Sequence, residues 1–210
     1  MRTKKRELIL HNPTTHERLY CLSNNPKWLL LLLGRNKKYD SFLRKLSERN
    51  FYNDPEGKIS IKQIATELGF KTTDVTKWIA DIYEDIFDLN ETEPELFCSA
   101  GVRHELYFKH YDDRGFFTLW MQQTPREFEG LSFYFIKAKV GTDRFWVKEV
   151  RHELENGEYK VHLTLDGQML NKYRELLVDK GLFQRVLSFG DIHNKHSFEI
   201  DKELLEWYRH

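Results

Sequence analysis

Between Ser60 and Phe87 the apolar residues fall into two blocks of helical spacing with a glycine between them. Ile61, Ile64, Ala65 and Leu68 recur at i, i+3, i+4 and i+7, and Ser60 stands where a helix cap belongs. Gly69 ends this block, because glycine takes the left-handed backbone that closes a helix without a Cβ clash. After the short turn Phe70-Lys71-Thr72, either Thr73 or Asp74 can cap a second helix. Its inner stripe is Val75, Trp78, Ile79, Ile82, Ile86 and Phe87. Two helices joined by a short glycine-containing turn make a helix-turn-helix, and this pair constrains the fold more than any other stretch.

On its N-terminal side, Glu7–His11 and Arg18–Leu22 read as two short strands around the turn signal Asn12-Pro13-Thr14-Thr15. Pro26 suits a first helical turn, so Lys27–Gly34 reads as a short buried helix. Asp40 or Ser41 caps another, with Phe42, Leu43, Leu46 and Phe51 inward, and residues 53–57 form a loop. Residues 89–103 read as an acidic connector around Pro94, with a domain boundary near 95. Beyond it, 104–111 and 116–122 flank Asp112-Asp113-Arg114-Gly115, and 130–140 and 144–155 flank Gly141-Thr142-Asp143. Asn156-Gly157 is a strong hairpin signal, and Tyr159, Val161, Leu163 and Leu165 alternate with polar residues in a half-buried strand. Phe116–Met121 and Phe133–Ile136 are apolar on both faces and are expected to be central strands. Residues 169–181 predict a helix with Met169, Leu170, Tyr173, Leu176 and Leu177 inward; 182–189 read as a strand, 193–198 as a loop or edge, and Asp201 caps a last helix.

These elements predict an α+β protein. Residues 1–95 form a helical helix-turn-helix domain with a small N-terminal β-hairpin. Residues 96–210 form an antiparallel β-meander domain with C-terminal helices, for dimerisation or sensing. The 104–122 hairpin is also open to reading as the wing of a winged helix. Its acidic tip and apolar strands assign it rather to the second domain.

Composition narrows the function. Hydrophobic residues make up 40% and charged ones 31%, with 11 Gly and 5 Pro, which excludes collagen-like, low-complexity and largely disordered chains. The run Trp28–Leu33 is far short of the roughly 17 residues a membrane span needs, and Leu8-Ile9-Leu10 is too short for a signal-peptide core. Cys21 and Cys98 stand apart with no CxxC, which fits a reducing cytoplasm. The zero net charge conceals an asymmetry: residues 1–49 carry 12 Lys/Arg against 4 Asp/Glu. Such a basic quarter suits nucleic acid or is simply a solvated face.

Ile61–Ala80 resembles the twenty-residue helix-turn-helix of DNA-binding regulators. Ala65 is the small residue at place five and Gly69 the glycine at place nine. Ile64, Leu68, Val75 and Trp78 fill the apolar places, Trp78 being bulkier than the pattern's usual residue. The resemblance implies binding of double-stranded DNA, with the start of the second helix in the major groove. The expected contacts there are Lys71, Thr72, Thr73, Thr76 and Lys77, with Asp74 and Ala80 beside them. Arg44, Lys45 and Lys62, together with Arg49 and Lys58, are expected to touch flanking phosphates. Asp81, Glu84, Asp85 and Asp88 further along must point away from phosphate.

The function expected is a bacterial-type transcriptional regulator or DNA-associated accessory factor, working as a homodimer. A second reading is a protein-interaction or scaffolding module whose helix-turn-helix does not touch DNA. A third is an enzyme with a site in the C-terminal sheet, where His110, His152 or His162 would have to meet carboxylates. The sequence shows no nucleotide-binding glycine loop, no nucleophile elbow and no zinc-helix motif, so no catalytic residue, cofactor or metal is expected. His193-x-x-His196 lacks partners at fixed spacing and reads as a polar loop, and Glu149 and His152 fall on opposite faces of a strand. Trp120, Tyr134, Phe145 and Trp146 can line a ligand pocket, a dimer interface or an ordinary core.

Overall fold

The structure is a computed structural model that describes residues 10–53, 59–98 and 100–208. It is a mixed α+β fold in two compact units, residues 10–168 and residues 169–208.

The first unit opens with α1 (Thr15–Ser23), in place of the expected hairpin. The Asn-Pro signal marks a helix start instead. Thr14 accepts from Glu17 N (3.2 Å), Glu17 accepts in return from Thr14 N (2.8 Å), and Leu19, Cys21 and Leu22 turn inward. Residues 7–9 of the expected hairpin and 54–57 of the expected loop lie outside the described residues. Then come α2 (Pro26–Leu30), with Pro26 at its first turn, and α3 (Asp40–Glu48), which buries Phe42, Leu43 and Leu46. α4 (Ile61–Leu68) and α5 (Thr72–Thr92) come next.

Five strands make one sheet: β1 (Val102–His110), β2 (Asp113–Met121), β3 (Gly130–Ser132), β4 (Arg144–Glu155) and β5 (Glu158–Asp166). Their order is β2-β1-β5-β4-β3, and β1 runs parallel to β5, so the sheet is mixed and not a meander. The pairing of β1 with β5 joins residues some sixty apart in sequence, which local turn signals do not specify. The 102–121 hairpin is built into this sheet, with β1 between β2 and β5, and is not a free wing. At the β4–β5 turn Asn156 (φ 51°) and Gly157 (φ 84°) both take positive φ, as a two-residue hairpin of matching twist requires.

The expected strand over 133–140 is a 3-10 turn, Tyr134–Ile136, continued by the short helix α6 (Lys137–Val140). A short apolar run fits either period. Here Phe135, Ile136, Ala138 and Val140 are buried, while Tyr134 is exposed beside Tyr20. Tyr20 on α1 donates to Asp143 (2.9 Å), which Lys137 also contacts at 3.1 Å, and burial holds the Tyr20 hydroxyl well above its ordinary range. Burial likewise pushes the Cys21 thiol up to about 12, so it packs as an inert core group, with Ala138 N donating to its sulfur.

β2 is an edge strand, not a central one, and α5 covers it. Phe87 and Phe135 pack on Phe117 at 5.8 and 5.6 Å, and Trp28 stacks on the same ring at 5.0 Å. The expected connector begins inside α5. Asn90 is only 2% exposed and donates to Thr118 O (2.8 Å), while Thr118 N donates back to it (2.7 Å). Helices α1–α5 and the sheet therefore share one core, and the division of the chain falls at 168/169 and not near 95.

Among residues 169–208 the helices are α7 (Lys172–Phe183), α8 (Phe189–Asn194) and α9 (Ser197–Trp207). Leu182 lies at the end of α7 and not in the expected strand, and His196, not Asp201, caps α9. Leu177, Val178 and Leu182 pack around Leu187, Ile200 and Leu204, whereas Met169, Tyr173 and Leu176, expected inside, are exposed.

Two measurements probe the core of the first unit. Asn90→Ala leaves the buried Thr118 amide and carbonyl unpaired and is expected to cost about 2–4 kcal/mol in urea unfolding; a loss below about 0.5 kcal/mol would remove Asn90 from its structural role. His104 is fully buried, with Nδ1–H donating to Val102 O (2.7 Å) and Nε2 accepting from Thr124 (2.8 Å). Burial lowers its pKa, so below an unfolded-state value of about 6.5 the unfolded chain takes up a proton that the folded one refuses. Stability is expected to be full above that pH and to fall as pH drops, with a shallower fall in His104→Gln, read from urea midpoints.

Candidate nucleic-acid interface

The α4–α5 pair is built from its caps inward. Ser60 accepts from Gln63 N at 3.2 Å, and Gln63 accepts from Ser60 N at 2.8 Å. Ile64 and Ala65 are buried against α5, and Gly69 takes φ 75°. Phe70 N then donates to Ala65 O at 2.8 Å, which closes the first helix and turns the chain. α5 starts at Thr72, one residue before the expected caps, with Lys71 preceding it and no side-chain cap. Val75 and Ile79 are fully buried.

Trp78 solves its bulk by leaving the crossing. Its ring lies edge-on to Phe70 at 5.1 Å and against Phe42 of α3 at 5.8 Å, and Phe42 and Phe70 meet at 6.2 Å. These three rings tie α3, the turn and α5 together. The sequence pattern of the two helices alone does not show that a third helix takes the indole.

Eight of the ten expected DNA contacts are exposed. Lys71 precedes α5, Thr72, Thr73, Thr76 and Lys77 occupy its first two turns, Lys62 the first turn of α4, and Arg44 and Lys45 the outward side of α3. Arg49 is engaged, paired with Glu67 and 5.0 Å from the Phe51 ring, and Lys58 lies outside the described residues. Along the outward side of α5 the charge changes sign. Thr73 and Lys77 give way to Ala80, Glu84 and Asp88 at helical spacing. Asp85 is engaged within the fold: it pairs with Lys37 (3.0 Å) and accepts from Tyr39, whose hydroxyl is pushed far above its ordinary range by burial and by that carboxylate.

The other candidates do not converge. His162 does stand between two carboxylates, 3.3 Å from Glu105 and 2.9 Å from Glu153. Both of these already pair with cations, Glu105 with Arg103 at 3.0 Å and Glu153 with Lys160 at 2.9 Å, so the cluster is a cross-strand ionic network. His110 bonds to the Val140 carbonyl, His152 to the Tyr159 hydroxyl, and Glu149 takes Thr164, so none of these forms an acid/base pair. Trp146 stacks on Phe128, Phe145 packs on Phe108, Trp120 lies under Arg103, and Tyr134 is at Tyr20. Those four rings therefore line no common pocket. Among the described residues no group of three or more His, Cys, Asp or Glu is placed to hold a metal ion. Comparison with protein-family models, curated proteins and solved structures finds no match to this chain.

The turn has its own test. A Cβ at Gly69 would meet nothing within 4 Å, so any cost of substitution is that of the left-handed backbone alone. Gly69→Ala is expected to lower unfolding free energy by about 1–2 kcal/mol and Gly69→Asn by clearly less; equal losses would contradict the φ of this turn.

Proposed function

We propose that this protein binds double-stranded DNA through α4 and α5, with the first two turns of α5 in the major groove. The observation that carries this reading is the exposed set Lys71, Thr72, Thr73, Thr76 and Lys77, held out by a helix pair whose inner sides are packed. Thr and Lys suit phosphates and some base edges. The start of α5 has no side-chain cap, so its free N–H groups favour an anion as well. Lys62, Arg44 and Lys45 supply flanking phosphate contacts. The acidic Glu84 and Asp88 confine the contact to the start of the helix.

In this reading the protein is a bacterial-type regulator or accessory factor of the cytoplasm, consistent with two unpaired cysteines. No helix among the described residues is long and apolar enough to cross a membrane. It acts as a homodimer, placing two copies of α5 in successive major grooves about 34 Å apart. The exposed Phe183, Phe189 and Phe198 of the second unit suit such a contact. The acidic second half of α5 favours a second reading, in which the same helix pair docks on a basic protein partner.

A salt titration of binding to a random-sequence duplex decides between them. Wild type is expected to bind at low salt with a steep slope of log Kobs against log[salt]. Lys71→Ala/Lys77→Ala is expected to weaken binding to all sequences and reduce that slope by about two. Absence of binding at low salt rules out the DNA reading, and an unchanged slope in the double variant rules out this helix.

A further inference from the structure

A cavity of about 340 Å³ opens in the first unit where the last turns of α5 meet the β1–β2 hairpin and α6. Its apolar lining is aromatic. Tyr107 and Phe116 are cross-strand partners with ring centroids 5.0 Å apart, and Phe87 adds a third ring from α5. Tyr107 is 49% exposed, so its ring is available to a ligand rather than spent in the core.

Three charges border these rings. The Lys139 ammonium lies 4.2 Å from the Phe87 centroid. Arg114 is fixed by donating from Nη1 to the carbonyls of Tyr111 and Asp113, both at 2.8 Å, which leaves its other N–H groups unspent among the described residues. Glu91 lies four residues beyond Phe87 on α5 and so shares its side of the helix. None of the three has an ion-pair partner among the described residues. The neighbouring surface differs: Lys37 pairs with Asp85 of α5 at 3.0 Å, and Arg35 with Glu93, just past its end, at 2.7 Å.

We infer that this cavity binds an aromatic α-amino acid. The Tyr107 and Phe116 rings accept an aromatic side chain face-on or edge-on, beside the largely buried Phe87. Arg114 and Lys139 receive the carboxylate, and Glu91 receives the ammonium group. The volume is at the lower end of the roughly 300–1,000 Å³ range of small-ligand sites, which fits one ring with short polar arms and not a dinucleotide. Sequence reading does not assemble this site, because its parts come from α5, both strands of a hairpin and α6. The inference is independent of DNA binding, since the ligand is measured with no DNA present.

The test is calorimetric titration of the full chain with L-tryptophan, L-tyrosine and L-phenylalanine, beside L-leucine, tryptamine and indole-3-propionate. At least one aromatic amino acid is expected to bind. Its analogue without the ring, the carboxylate or the ammonium is expected to bind at least about tenfold more weakly. Lys139→Met and Glu91→Gln alter exposed side chains, so unchanged urea midpoints verify their fold. Each is expected to weaken binding about tenfold, Lys139→Met without affecting tryptamine and Glu91→Gln without affecting indole-3-propionate. The inference is overturned if none of the three amino acids binds at about 5 mM, a concentration of the order of a weak small-ligand Kd. It is overturned equally if either variant binds the amino acid as wild type does.

Discussion

The carboxamide of Asn90 does at Thr118, in the middle of the sheet edge, what a neighbouring strand would do. An edge strand presents unpaired N–H and C=O groups, and burying them unpaired is costly. At Thr118 both groups are taken by one side chain, at 2.7 and 2.8 Å, and that side chain belongs to the long helix α5. The bond pair therefore fixes two things at once: where the sheet stops, and where α5 lies on it. Phe87, Tyr83 and Ile86 on the same helix then meet Phe117 and Phe135 in a shared aromatic core. Without this pair Thr118 would bury an unpaired amide and carbonyl under α5.

The sequence shows local helices clearly and long-range pairing poorly. α3, α4 and α5 are legible in their apolar stripes, and Ser60 and Gly69 mark the ends of α4. The Asn156-Gly157 turn is equally plain, because its two positive φ values demand those residue types. The N-terminal segment is less plain. Thr14-Thr15-His16-Glu17 carries the spacing of a capping box, and the Asn-Pro dipeptide before it carries a turn signal. Both are true of a helix start, but only the capping box specifies that a helix comes next. The run Phe133–Ile136 misleads for a different reason: four apolar residues have no measurable period, so their shape is set by what they pack against.

Much of the candidate interface is readable, since exposure at the start of α5 comes from the same stripe that buries Val75 and Ile79. The role of Trp78 is not readable from α4 and α5 alone, because its partner Phe42 stands far earlier in the chain, in a separate helix. Tyr107, Phe116, Phe87 and Lys139 are harder still. Each looks like an ordinary strand or surface residue until the β1–β2 hairpin is laid against α5 and α6. Likewise Asn90 reads as a polar residue of an acidic connector, although burial makes its amide part of the sheet.

α5 spans Thr72–Thr92, about 30 Å at the rise of an α-helix. It is held near one end by Thr118 and at the other, where the exposed threonines and lysines stand, by α3, α4 and the turn between α4 and α5. A tilt of about 5° would carry one end by about 3 Å over that length, against the packing of Val75 and Ile79. A displacement of that size is enough to break a hydrogen bond. The sheet edge at Thr118 and the aromatic contacts of Trp78 thus share one rigid element, so a shift at either is resisted by the packing of the other.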